Sequence, residues 1–219
     1  MPPQSTPKNG AAFKRRLLAW FRTAARDLPW RRTRDPYRVL VSEFMLQQTQ
    51  VSRVLDYYGP FLRRYPSLAA LAGATPRAVR EAWDGLGYYR RAANLHRLAR
   101  QVVRHHGGVV PSDPEALEQL PGVGPYTAGA VAAFAFEKPA PAVDTNVARV
   151  LGRVFRCQTA KTTRKMAQLL QPKRRATVWA FNQAMMELGA LVCTARAPKC
   201  PACPVNQLCN WYLRSGNHS

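Results

Sequence analysis

Residues 120–146, LPGVGPYTAGAVAAFAFEKPAPAVDTN, constrain this chain more than any other segment. A glycine-rich hairpin, Pro121-Gly122-Val123-Gly124, runs directly into an apolar helix pattern built of small residues. A proline-broken connector then delivers one carboxylate, Asp144. Glycine lets main-chain amides approach a phosphate closely, and a helix N-terminus adds partial positive charge at the same place. A carboxylate beyond such a grip can stabilise positive charge developing on a sugar. The segment therefore points to chemistry on DNA.

The charge balance agrees. The chain has 33 Lys+Arg against 12 Asp+Glu, a net +21, and beyond Asp144 the only acid is Glu187 against twelve Lys or Arg. An excess this large calls for a polyanionic partner, and nucleic acid fits it better than an anionic membrane. No apolar run approaches the roughly 20 residues needed to span a bilayer. The N-terminal MPPQSTPKNG lacks the apolar region of a signal peptide and reads, through residue 12, as a disordered tail. A cytoplasmic, nucleoid-associated protein is expected.

Apolar spacing predicts helices over about 13–26, 36–46, 51–64, 67–72, 76–84, 88–106, 113–119, 125–136, 145–155, 162–170 and 174–191, with no alternating strand pattern between them. The expected fold class is all-α. Its tail holds Cys193, Cys200, Cys203 and Cys209 in a C-x6-C-x2-C-x5-C spacing. Cysteines this dense without a secretion signal point to metal rather than disulfides. Four thiolates can hold a tetrahedral zinc or a [4Fe–4S] cluster, and the single C-x2-C knuckle favours the cluster. Cys157 lies outside the run and reads as an ordinary thiol. His96, His105, His106 and His218 show no ligand spacing.

Hairpin, Asp144 and cysteine spacing together resemble the helix-hairpin-helix DNA glycosylases of the endonuclease III and MutY type, most specifically the MutY adenine glycosylases. VSEFMLQQTQV (41–51), WDGLGYYRRAANLH (83–96), LPGVGPYTAGA (120–130), VDTNVARVL (143–151) and FNQAMMELGALVCT (181–194) look like that family's signatures, in family order over about 13–210. Two features depart from it. Thr145 stands where the family usually has glycine, and the chain ends soon after the cysteines, without the family's Nudix-like domain.

The resemblance implies a [4Fe–4S] cofactor and two helical lobes. A six-helix barrel would span about 30–137, and a cluster lobe would combine 13–29 with 138–219, the active site lying in the cleft between them. It further implies that Glu43, its pKa raised among Val39, Phe44 and Met45, protonates a flipped adenine at N7 while Asp144 supports an oxocarbenium-like sugar. Asn146 would position water or Asp144. Tyr126 occupies the place where bifunctional relatives carry a Schiff-base lysine, so a monofunctional enzyme is expected. Gln48 and Tyr88 resemble wedge residues inserted into the duplex, and Arg26, Trp30 and Arg31 resemble adenine-pocket residues. Gly122, Val123 and Gly124 would give amides to a phosphate. The expected partner is double-stranded DNA with a mismatch or damaged base, bound by a monomer. Removal of thymine or uracil opposite guanine is the alternative activity, and a non-catalytic DNA-binding module the alternative class.

Overall fold

A computed structural model of the chain describes residues 7–214, and among them every regular element is helical. In chain order the α-helices are α1 (Gly10–Ala24), α2 (Pro36–Leu46), α3 (Val51–Arg64), α4 (Leu68–Gly73), α5 (Pro76–Ala82), α6 (Arg90–His105), α7 (Pro114–Glu118), α8 (Pro125–Ala135), α9 (Thr145–Phe155), α10 (Ala160–Leu170), α11 (Arg175–Leu191) and α12 (Asn210–Arg214). Single 3-10 turns occur at Pro29–Arg31 and Asn206–Leu208. The all-α class holds. No described helix is long and apolar enough to cross a membrane.

Many helix starts follow from local chemistry. Asp35, Ser67, Thr75, Asp113, Asp144 and Thr159 each accept a main-chain N–H at the head of a helix. Proline opens α2, α5, α7 and α8, where its missing N–H would have had no intrahelical partner anyway. One start departs from expectation. Residues 1–6 of the expected tail lie outside the described residues, but α1 begins at Gly10, inside it. Phe13, Leu17 and Phe21 fall four apart and are buried, and Phe13 N–H bonds the Asn9 carbonyl at 2.9 Å. Burying Phe13 requires its preceding turn to be folded.

The chain divides into two compact units, one Asp27–Phe136 and the other made of the segments up to Arg26 and from Glu137 onward. In the Asp27–Phe136 unit, α8 is buried along 127–134, as a helix apolar on every face must be. It lies against α2 and α7, while α6 packs on α2, α4 and α5. α2 is buried from Tyr37 through Met45 except at Arg38, and this includes the polar Ser42 and Glu43. Trp83 and Phe61 stack edge to face, their centroids 5.5 Å apart.

The second unit is built on α9, α10, α11 and α1, which share a core of Phe13, Leu17, Val150, Leu151, Leu170, Phe181 and Leu188. Gly189 permits the close crossing of α9 and α11. A Cβ there would stand 2.6 Å from Asn146 Cβ and 3.0 Å from its carbonyl oxygen, and main chain cannot yield as a flexible side chain can. Gly189→Ala is expected to destabilise the protein by about 1–3 kcal/mol, the usual cost of overpacking. Chemical denaturation tests this, and an unchanged midpoint would show that the crossing has room to spare.

Candidate active site

In the Asp27–Phe136 unit, Glu43 projects from α2 and is 4% exposed. The Tyr126 hydroxyl, from the first turn of α8, donates to Glu43 Oε2 at 2.9 Å. The hairpin that delivers Tyr126 is fixed by Gly122, whose φ of +77° is the left-handed region. A Cβ on Gly122 would stand 2.7 Å from Asn94 and 2.9 Å from the Phe44 ring, so the turn sits directly on α6 and α2. Gly124 caps α8 with open space around its α-carbon and no side-chain cap. One expected phosphate donor is otherwise engaged: Val123 N–H closes the turn onto the Leu120 carbonyl at 3.1 Å. Gly122 and Gly124 are both exposed.

Gln48 and Tyr88 lie on two loops of the same unit, after α2 and before α6. Both are exposed, Tyr88 by 59%. Trp30 is instead 7% exposed and packs edge to face on Tyr58 at 5.4 Å, with Arg31 half-buried beside it. In the other unit, Arg26 is held by Glu187. Its Nε and Nη2 each donate at 2.8 Å and its main-chain N–H at 2.9 Å, and Glu187 is fully buried. The hydrogen bonds it donates to Glu187, opposed by burial, raise the Arg26 pKa above its ordinary value. Arg26 is thus anchored by Glu187 and Trp30 by Tyr58.

Asp144 is committed through both carboxylate oxygens. Oδ1 accepts Val147 N–H at 2.7 Å and caps α9, and Oδ2 accepts Asn146 Nδ2 at 3.0 Å. Asn146 Oδ1 in turn accepts Arg149 Nη2 at 2.7 Å. Arg149 continues to the Gly189 carbonyl at 2.8 Å and, through Nε, to the Cys193 carbonyl at 2.7 Å. Thr145 occupies the first helical position of α9 with its side chain exposed, which accommodates the departure from glycine. Arg153, one turn beyond Arg149, reaches Cys193 Sγ at 3.4 Å and the Thr194 and Ala195 carbonyls at 2.7 and 2.9 Å. Its guanidinium also stacks 4.9 Å from the Trp211 ring centroid. The sequence reading missed both arginines; their four-residue spacing on one face of α9 was the available signal.

Cys193, Cys200, Cys203 and Cys209 line one small cavity, otherwise walled mainly by apolar side chains such as Val150, Leu188, Val192 and Val205. Burial pushes the Cys203 thiol up to about 11 and raises Cys200 as well. Among the described residues no three Cys, His, Asp or Glu side chains are grouped tightly enough to hold one metal ion. Four thiols spread around a shared cavity suit a multi-atom cluster better than a single ion with bonds of about 2.3 Å.

Residues 41–175 match the HhH-GPD superfamily base excision DNA repair protein family, and residues 193–209 match the iron–sulfur binding domain of endonuclease III. The chain belongs to the HhH-GPD superfamily of base excision DNA repair proteins. Its cysteine segment is an iron–sulfur binding domain, and the cofactor is a [4Fe–4S] cluster. The chain is 46% identical to the adenine DNA glycosylase of Rattus norvegicus, a match covering 94% of this chain and 42% of that protein. It thus spans less than half the length of that relative. It is 41% identical to the thymine-DNA glycosylase of Aeropyrum pernix, over 92% of this chain and 94% of the relative. Among solved structures, a thermostable thymine-DNA glycosylase superposes with a TM-score of 0.88 at 34% identity, covering 94% of this chain and 97% of that one. A trapped endonuclease III–DNA covalent intermediate superposes with a TM-score of 0.81 at 25% identity, covering 95% and 98%.

Asn146→Ala is expected to slow single-turnover base excision about tenfold, the value of one charge-assisted hydrogen bond. The Val147 cap and the other Arg149 contacts survive this change. A melting temperature that falls in step with activity would instead assign Asn146 to packing.

Proposed function

We propose that the chain is a monofunctional DNA N-glycosylase that removes adenine paired with guanine or 8-oxoguanine. The observation that carries this reading is the buried Glu43 carboxyl held by the Tyr126 phenol. It supplies a candidate proton donor sheltered from water, and it puts a phenol where lyase relatives resembling endonuclease III place an amine. Glu43 protonates adenine N7, which drains electron density from the C1′–N9 bond. That bond breaks with its electron pair retained by the base, and Asp144 stabilises the cationic sugar. Water then adds its oxygen to C1′ and gives up a proton, and an abasic site remains. A phenol cannot form the Schiff base from which strand elimination proceeds.

Gln48 and Tyr88 enter the stack beside the vacated position, and the exposed Gly122 and Gly124 face a phosphate. The four cysteines would hold the cluster, which supplies a rigid anchor for the loop carrying the exposed Arg196 and Lys199 toward the DNA backbone. A monomer on mismatched or damaged duplex DNA, associated with the nucleoid, is the form in which this chain acts. Removal of thymine or uracil opposite guanine is the second reading. It is favoured by the 41% identity to the Aeropyrum pernix enzyme and by the superposition on the thermostable thymine-DNA glycosylase. The higher identity to the adenine enzymes, together with Glu43 within VSEFMLQQTQV, favours adenine.

One duplex panel separates them: A, T, U or C opposite G or 8-oxoguanine, with and without alkali, for the wild type and Glu43→Gln. Adenine is expected to be excised, with strand breaks only after alkali. Glu43→Gln should be slower by about a hundredfold or more, the weight of a general acid. Excision of thymine or uracil with adenine spared would overturn the target base. A borohydride-trapped adduct dependent on one lysine would overturn the monofunctional assignment.

A further inference from the structure

Gln48 and Tyr88 share an uncommon backbone. Their φ values are +56° and +49°, the left-handed region in which a side chain crowds its own carbonyl. Each such residue is strained and persists only where its surroundings enforce it. The two lie 40 residues apart in sequence, on different loops, with side chains exposed. Exposed side chains do not supply the enforcement, so the main chain beneath them must.

Arg91, in the first turn of α6, grips both loops from below. It is 7% exposed. Nη1 donates to the carbonyls of Phe44 at 3.2 Å and Met45 at 2.7 Å, and closely to that of Gln47. Nη2 donates to the carbonyls of Leu86 at 3.4 Å and Gly87 at 3.1 Å. One nitrogen thus holds the residue before Gln48 and the other holds the residue before Tyr88. The guanidinium also lies 5.2 Å from the Tyr88 ring centroid and 5.7 Å from that of Trp83, whose Nε1 donates to the same Gly87 carbonyl at 3.2 Å. Three of the five acceptors close the C-terminal end of α2, where unpaired carbonyls and the helix dipole favour a cation. Burial lowers the Arg91 pKa from its ordinary value, so these carbonyls bear the cost of a desolvated charge. Only a planar fork with donors on two nitrogens serves both loops at once; an ammonium is a point donor.

We propose that Arg91 is a positioning residue that sets Gln48 and Tyr88 as a single rigid wedge, so that both enter the duplex together. This rests on the wedge role given to those two residues under the proposed function. Losing the fork frees each loop to relax out of the left-handed region independently, and the wedge becomes two uncoupled side chains.

The test uses the full chain and a duplex carrying a tetrahydrofuran abasic analogue opposite 2-aminopurine, whose fluorescence rises when the orphaned base is unstacked. Gln48→Ala and Tyr88→Ala are each expected to lower the fluorescence gain at saturating protein. Arg91→Lys, which keeps the charge, should lower it to the level of the Gln48→Ala/Tyr88→Ala double variant. Adding either alanine to Arg91→Lys should change it by less than about twofold, because coupled residues are not additive. Fully additive losses, or a wild-type gain in folded Arg91→Lys, would overturn the proposal. If Arg91→Lys fails to fold, the Gln48→Ala and Tyr88→Ala cycle with Arg91 intact carries the question: sub-additive losses support a single wedge, and independent losses overturn it. If neither alanine lowers the wild-type gain, the wedge role itself fails and the proposal falls with it. The probe carries no target base, so a wrong assignment of the excised base leaves this result untouched.

Discussion

Burial of α2 is the constraint on which the Asp27–Phe136 unit depends. This helix is apolar enough to be enclosed along most of its length, and enclosure forces every polar group on it to find a partner inside the protein. Glu43 finds the Tyr126 hydroxyl, which ties α2 to the first turn of α8. The Phe44 ring closes against Gly122 and excludes any side chain there, which seats the hairpin. The carbonyls of Phe44, Met45 and Gln47 find Arg91, which ties α2 to the loop before α6. One eleven-residue helix thereby positions the candidate acid, the hairpin and both exposed loops. Their mutual geometry is a consequence of desolvation rather than of separate local designs.

The other unit solves a similar problem around Asp144. A lone capping aspartate can swing about its side-chain torsions, but here the second oxygen is held as well, by Asn146. Asn146 is braced by Arg149, and Arg149 is braced by main-chain carbonyls of Gly189 and Cys193. The absence of a side chain on Gly189 lets α11 approach closely enough for those carbonyls to be in reach. The orientation of Asp144 is therefore continuous, through hydrogen bonds, with the main chain that begins the iron–sulfur segment. A cofactor that only folds this segment would still bear on the orientation of Asp144, because it would fix where the Cys193 carbonyl stands.

What was legible in the sequence was what the sequence encodes locally. Capping residues, prolines at first helical positions and the apolar spacing located the helices, and the density of cysteines marked the cluster segment, because each signal acts within a few residues. The hairpin glycines were legible as a tight turn, although the engagement of the Val123 amide within that turn was not. The partnership of Arg26 with Glu187 spans 161 residues, and nothing within either motif indicates it. Glu187 therefore read as a lone acid. Arg91 drew no reading of its own beside Arg90, and only tertiary packing reveals that it turns inward while Arg90 does not. The packing of Trp30 on Tyr58 was illegible for the same reason, since an aromatic ring carries no local mark of what it faces.

The buried charges differ in what holds them, and the difference bears on what each can do. Glu187 is met by a guanidinium, which stabilises its ionised form and suits a permanent tie. Arg91 is met by carbonyls that offer no proton-accepting competitor, so it too is fixed. At Glu43 the group contributed by α8 is a phenol, which donates a hydrogen bond without adding a positive charge. A lysine at position 126 would place an ammonium against that carboxylate and bias it toward the ionised state, opposing its use as a proton donor. Tyrosine at this position brings no ammonium from α8 to the buried carboxyl, and under the proposed function that is what suits Glu43 to protonating a leaving base.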